Sequence, residues 1–304
     1  MNGLINLLKP PGMTSHQAVN KIRRILGMKR IGHLGTLDPA AAGVLPICVG
    51  TTTRLAEYMM NWDKEYRVES LLGATSDTGD TSGQLEVRKQ PVLVSDEQIN
   101  QALTAMIGRQ WQIPPMTSAV RYQGKRLYEW DRQGKQIVRE PRPIEIKNVQ
   151  LCHIFRTDGW TRVLFDTVVS KGTYIRVLCG SLGSELGCGA VMSFLVRSRA
   201  GPFELSHAWS LEEIMQAVQE ADWSFLLPAD YGLHHWPSVT MDDERLSRIR
   251  HGAEVRLGEG GEKIDRLACD SYLRILDQEG ALVAVGKVAT GDGDLVCRPE
   301  KVLS

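Results

Sequence analysis

The stretch GHLGTLDPAAAGVLP, residues 32–46, holds a single carboxylate, Asp38. Its neighbours are glycine, leucine, alanine and proline, and His33 lies five residues before it. Apolar surroundings drive a carboxylate towards its neutral form. Two readings follow. An aspartate before proline can open a turn, its side chain accepting backbone N–H groups. Alternatively, Asp38 is a nucleophile that attacks carbon. It must then stay ionised, and a fixed cation beside it would offset the burial. Arg176 suits that task. It follows Ile175 at the edge of an apolar helical stripe, from which a long side chain can reach inward.

Other patterns fall away. DTG at 77–79 has the look of an aspartic protease signature, but that chemistry needs two carboxylates sharing a proton, and no second Asp-Thr-Gly or Asp-Ser-Gly occurs. DTGDTSG lacks the alternating ligands and closing glutamate of an EF-hand loop and reads as a solvated turn. Six cysteines (Cys48, Cys152, Cys179, Cys188, Cys269 and Cys297) include no C-x-x-C. That argues against zinc and against a disulfide scaffold, and suggests reduced thiols in a cytoplasmic protein.

The elements that would carry these residues are partly visible. Thr14 or Ser15 can cap a helix through HQAVNKIRRIL, with Val19, Ile22 and Leu26 on one stripe and Gly27 as its stop. KEYRVESLLG alternates as a strand, Tyr66, Val68 and Leu72 on one face and Arg67 and Glu69 on the other. Ser95 with Gln98, and Ser210 with Glu213, start further helices; the first of these is expected to stop at Gly108. GWTRVLFDTVVS is β-rich, and Ile175, Leu178, Cys179, Leu182 and Leu186 follow helical spacing. Strands and helices mix without a βαβ rhythm, so the expected class is α+β with a mixed, mostly antiparallel sheet. LLPADYGLHHWPS reads as a linker, and SYLRILD and ALVAVGKV beyond it suggest a small β-rich domain.

At 304 residues the chain has room for one large domain, or a large and a small one. No apolar run reaches the roughly 18 residues that span a bilayer. MNGLINLLKPPG lacks the basic and long apolar regions of a signal peptide. The formal net charge is zero, yet it is unevenly spread. Residues 1–37 hold Lys9, Lys21, Arg23, Arg24, Lys29 and Arg30 and no acid. Residues 121–147 hold eight basic and four acidic side chains; residues 236–304 hold ten and thirteen. Clustered basic charge suits a polyanion, although solvated faces of this density are common.

Six blocks, in order, carry a resemblance: LLKPPGMTS (7–15), GHLGTLDPAAAGVLPICVG (32–50), DKEYRV (63–68), IPPMTSAVRYQGKRLYEWDRQG (113–134), VVSKGTYIRVL (168–178) and LVRSRAGPF (195–203). Together they resemble the TruB family of tRNA pseudouridine synthases, over roughly residues 4–230. The resemblance implies a catalytic domain over 1–230, with an RNA-clamping insertion at about 112–147, and a PUA-like domain over 236–304. It implies isomerisation of uridine 55 in the tRNA T-loop, without cofactor or metal, by a cytoplasmic monomer.

By the same resemblance Asp38 is the nucleophile and Arg176 its partner. Tyr66 packs on the target base and serves as a possible base. Leu195 lines the pocket, His33 fills the gap left by flipped bases, and Lys9 with Pro10 supports the site. Lys125 and Arg126 belong to the clamp. One departure stands out. Where members commonly read GAHLxxLRRT this chain reads GAVMSFLVRS, placing Val191 and Val196 at positions of a histidine and an arginine, so one RNA contact near the pocket rim is expected to change. Whether Asp38 attacks C1′, C6, or promotes a glycal stays open. An RNA-binding and folding module is the competing expectation, though it has no need of Asp38, Tyr66 and Arg176 together.

Overall fold

A computed structural model describes residues 1–89, 92–258, 267–291 and 293–303. Among them, ten strands form one sheet. Its main path runs Leu226–Leu227, Gly3–Lys9, Ala42–Val49, Ala190–Ala200, Lys64–Leu72, Trp160–Val169, Arg142–Thr157 and Gly108–Gln112. Every pairing in it is antiparallel except that of Ala190–Ala200 with Ala42–Val49. The mixed, mostly antiparallel α+β class is therefore the observed one. A second sheet of five strands, Ser238–Thr240, Tyr272–Leu276, Leu282–Gly291, Asp294–Val302 and Val255–Arg256, follows near the C-terminus.

Four helices cover one face of the large sheet. Ile22, Ile99, Leu103, Ile175, Leu178, Leu182 and Ile214 join Ile5, Leu7, Leu45, Ile47 and Val68 in one core. Each such side chain contributes roughly 1.5–3 kcal/mol when fully buried. The other face of Gly3–Lys9 and Ala42–Val49 is apolar too: Leu4, Val44 and Cys48 pack with Leu55, Met59, Phe203, Val285 and Leu303. These two strands are buried on both sides because the small sheet covers what the helices do not.

Local chemistry sets the helix starts. Thr14 caps Ser15–Leu26 in a full capping box with Gln17, and Ser95–Gln98 and Ser210–Glu213 do the same for Asp96–Ala105 and Leu211–Gln219. Gly27, at φ 64°, ends the first helix. The second stops earlier than expected, at Ala105, because Gly108 already belongs to a strand that pairs with Ile146. The segment read as a linker is tightly held. Leu226 and Leu227 pair with Ile5 and Leu4, Leu233 is buried, and the buried Asp230 lies 2.7 Å from Arg274. Among the described residues no helix is long and apolar enough to cross a membrane.

Candidate active site

The loop carrying Asp38 is held from three directions. Ser15 uses its hydroxyl twice, accepting from the Leu37 N–H at 2.8 Å and donating to the Leu37 carbonyl at 3.0 Å. Thr14 is thus the helix cap and Ser15 a loop clamp. Lys9, fully buried at the end of the first strand, donates to the carbonyls of Pro10 and Met13, both at 2.8 Å, and of Pro39 at 3.4 Å. Burial pushes its pKa down to about 8, against the pull of the Asp38 carboxylate. Arg197, also buried, donates to Gly35 and Thr36 on the loop and to Val44.

Asp38 does not use its carboxylate as a turn cap. Both of its hydrogen bonds come from Arg176, Nε to Oδ2 at 2.9 Å and Nη2 to Oδ1 at 3.4 Å. The turn there closes through the main chain instead, Ala41 N–H to the Asp38 carbonyl. The Arg176 side chain is 5% exposed and that of Asp38 33%. The cation is fixed and the carboxylate faces outward, where a substrate atom can reach it. A two-pronged guanidinium–carboxylate contact sets orientation as well as charge.

Arg176 is itself surrounded. It donates to the Thr78 carbonyl at 2.8 Å, to the Thr117 carbonyl at 3.2 Å and to the Thr117 hydroxyl. A second carboxylate, buried Asp80, stands 3.9 Å from its Nε. This corrects the reading of DTGDTSG as a solvated turn. Thr78 and Ser82 bond Asp80, and the loop bridges to Met192 in the sheet, which draws it inward. Gly79, at φ 77°, passes close to Arg176; a Cβ there would meet that of Arg176 at 3.2 Å. The Gly-Asp pair was the available signal, and solvated turns share it.

Tyr66 and Leu195 lie on adjacent strands and are buried in the same core as Leu37, Ala41 and Ile175. They belong to the apolar core beneath the Asp38 loop. His33 ends the short strand Ile31–His33. Its pKa is pushed down to about 4, mostly by burial and further by the charges of Arg197, His16 and Arg126. Its Nδ1 is buried without a partner. Near neutral pH the ring is uncharged. Tyr174, half-buried just before Arg176, has its phenol pKa raised, mainly by burial and also by Asp38. Asp80, Thr117, Tyr174, Arg197 and the Ser15 clamp were not found from the sequence.

Lys125 and Arg126 are exposed on a hairpin of two-residue strands with Arg121 and Tyr122, Arg126 within electrostatic reach of His33. Lys125 lies over the Trp130 ring at 5.0 Å and Arg126 over Tyr128 at 5.8 Å. Arg132 and Lys135 flank the same rings. Through Thr117 this insertion is tied to Arg176. Val191 is fully buried with Leu71, Ala74 and Trp160, so the departure at that position alters packing and not a pocket rim. Val196 is half-buried, paired with Arg67 and Ala42. Among the described residues no three His, Cys, Asp or Glu side chains converge on a point that would hold a metal ion.

The mixed sheet thus carries one part-exposed carboxylate, Asp38, gripped by a buried arginine. Two family models match in succession: the N-terminal domain of the TruB family pseudouridylate synthases over residues 23–175, and the C-terminal domain of tRNA pseudouridylate synthase B over 176–234. The chain is 42% identical over 302 residues to the tRNA pseudouridine synthase B of Moorella thermoacetica, covering 99% of each. It is 41% identical over 291 residues to that of Streptococcus pneumoniae serotype 2, covering 95% of this chain and 99% of the other. The crystal structure of a Cbf5-Nop10-Gar1 complex holds a chain similar at TM-score 0.73 and 27% identity, over 99% of this chain and 85% of that one. The chain belongs to the TruB family of pseudouridylate synthases.

Proposed function

We propose that this protein isomerises uridine to pseudouridine in tRNA, at uridine 55 of the T-loop, with Asp38 as nucleophile. The observation that carries the reading is the grip of Arg176 on Asp38, in a loop whose Leu37 and Ala41 share one core with Tyr66 and Leu195. The reaction breaks the N1–C1′ bond and joins C1′ to C5. The C5 proton leaves, N1 gains one, and nothing is oxidised or hydrolysed. Glycoside hydrolases commonly pair two carboxylates around a water. An isomerase must keep water out, which apolar walls favour.

The target base has to leave its stack to be reached. Tyr66 receives it, and base–aromatic stacking is worth roughly 1–3 kcal/mol. His33, neutral and half-buried, fills the vacated space. Leu195 closes the pocket, Lys9 holds the loop, and Lys125 and Arg126 take phosphates of the T-arm. Residues 1–230 act as the catalytic domain, with the insertion at about 112–147, and 236–304 as a PUA-like domain. The protein works as a cytoplasmic monomer.

The test is to incubate the purified protein with unmodified tRNA and map pseudouridine at each position. A signal confined to position 55 is expected. Modification only elsewhere would overturn the T-loop assignment, and tRNA bound but never modified would leave a folding module in its place.

A further inference from the structure

The Ala190–Ala200 strand lies between Ala42–Val49, which leaves the Asp38 loop, and Lys64–Leu72, which carries Tyr66. In its register Arg197 stands opposite Gly43 on one side and Tyr66 on the other. The residue is 1% exposed, and it is one of the largest fully buried side chains, as is Lys9. Its guanidinium forms no ion pair among the described residues. Main-chain carbonyls satisfy it instead: Val44 takes Nε at 2.7 Å, Gly35 takes Nη2 at 3.1 Å and Thr36 takes Nη1 at 3.4 Å. Two of these three belong to the loop that leads into Asp38.

The backbone is built around this contact. Gly43 has φ 110°, and a Cβ there would lie 2.3 Å from the Arg197 carbonyl oxygen. Gly35 has φ 106°, a conformation that L side chains rarely adopt, and its carbonyl accepts from Arg197. A guanidinium buried without a carboxylate is expensive, and a well-packed apolar residue of similar volume is commonly as stable or more so. The strand pairings on either side of it run through the main chain and do not use the guanidinium. What the charge supplies is a fixed grip on two oxygens just before Asp38, while Lys9 grips the Pro39 carbonyl just after it. Asp38 is bracketed by two buried cations that touch its backbone neighbours.

We infer that Arg197 is a positioning residue of the isomerisation. By holding the Gly35 and Thr36 carbonyls it sets where the Asp38 carboxylate stands against Arg176, without touching substrate. The inference rests on Asp38 being the nucleophile. A displacement of about 1 Å in a reacting group can cost on the order of 100-fold in rate.

The test compares Arg197→Met, Arg197→Lys and a control, Val163→Ala, which hollows the core in the Trp160–Val169 strand. Thermal unfolding, affinity for unmodified tRNA and the single-turnover rate at saturating tRNA are measured below the unfolding transition. Both Arg197 variants should bind tRNA within about threefold of the parent. Their rates should fall on the order of 100-fold for Met and 10-fold for Lys. Val163→Ala should lose stability and keep its rate. Arg197 variants whose rates stay within about twofold of the parent per folded molecule would overturn the inference. So would a rate loss in Val163→Ala that matches theirs, or insolubility of both variants, which would make Arg197 a folding residue alone. An active Asp38→Asn enzyme would instead overturn the nucleophile itself, whatever Arg197 does.

Discussion

The pocket and the insertion both collect cations, and they hold them in opposite ways. In the pocket Lys9, Arg176 and Arg197 are buried and committed to carbonyl and carboxylate oxygens. In the insertion Lys125, Arg126, Arg132 and Lys135 rest on the faces of Tyr128 and Trp130. A cation over an exposed ring gains only about 0.5–1 kcal/mol and can exchange that contact for a phosphate. The buried set is committed to fixed contacts, and the exposed set holds its charge at the surface.

The contrast is broken most sharply at Asp38. Asp38→Asn should abolish turnover to below detection and leave tRNA affinity intact or slightly tighter, since phosphates supply most of the binding. Arg176 would lose its ionised partner, at a cost of roughly 1–3 kcal/mol in thermal or urea unfolding, towards the lower figure because Asp38 is a third exposed. Substantial pseudouridine from the folded variant would sink the assignment. Next comes Asp80→Asn, which keeps the loop's shape and removes the second carboxylate from Arg176. A slower single-turnover rate, by roughly 10-fold or more, is expected with unchanged tRNA binding. A parental rate would reduce Asp80 to a loop fastener.

In the insertion the outcome should be reversed. Lys125→Ala with Arg126→Ala should weaken tRNA binding and flatten its salt dependence by about one slope unit per lost contact, with turnover at saturation preserved. An unchanged slope would mark the stretch as a solvated face. The smallest effect is at His33, whose folded pKa of about 4 lies below the 6.5 of a free imidazole. Below about pH 6.5 the unfolded chain takes the proton and the folded one does not, so stability present at neutral pH drains away towards pH 4. The full loss is about 3 kcal/mol, and His33→Asn should flatten that part of the pH–stability curve. Parallel curves for parent and variant would place the acid sensitivity elsewhere.

How much of this was readable depends on the range of the interaction concerned. Capping boxes at Thr14, Ser95 and Ser210 act over three residues, and the alternation of Lys64–Leu72 is local, so both were legible. The Asp38–Arg176 pair was legible because an ionised carboxylate in an apolar loop demands a cation and because the family resemblance pointed to the same arginine. Asp80 was not, since its burial comes from packing against Arg176 and Met192, far along the chain. The LLPADYGLHHWPS segment misled for the same reason, because the strand that captures Leu226 and Leu227 is the first in the chain. Val191 was misplaced because a register shift between Met192 and Phe194 changes which face the earlier residues present.

The apolar face shared by the two sheets has a consequence for synthesis. Arg54 donates to the Val302 carbonyl at 2.5 Å, Lys301 pairs with Glu57 at 3.0 Å, and Val285 and Leu303 pack beside Leu4, Val44 and Leu55. Residue 302 is made 248 residues after residue 54. At about 5–20 residues per second, that is a wait of roughly 12–50 s on the ribosome. During it the side of the strand leading out of the Asp38 loop which Val285 and Leu303 will cover has only nearer residues such as Leu55 and Met59, and later Phe203, beside it. A message cut short near its end would yield a protein that lacks that cover permanently.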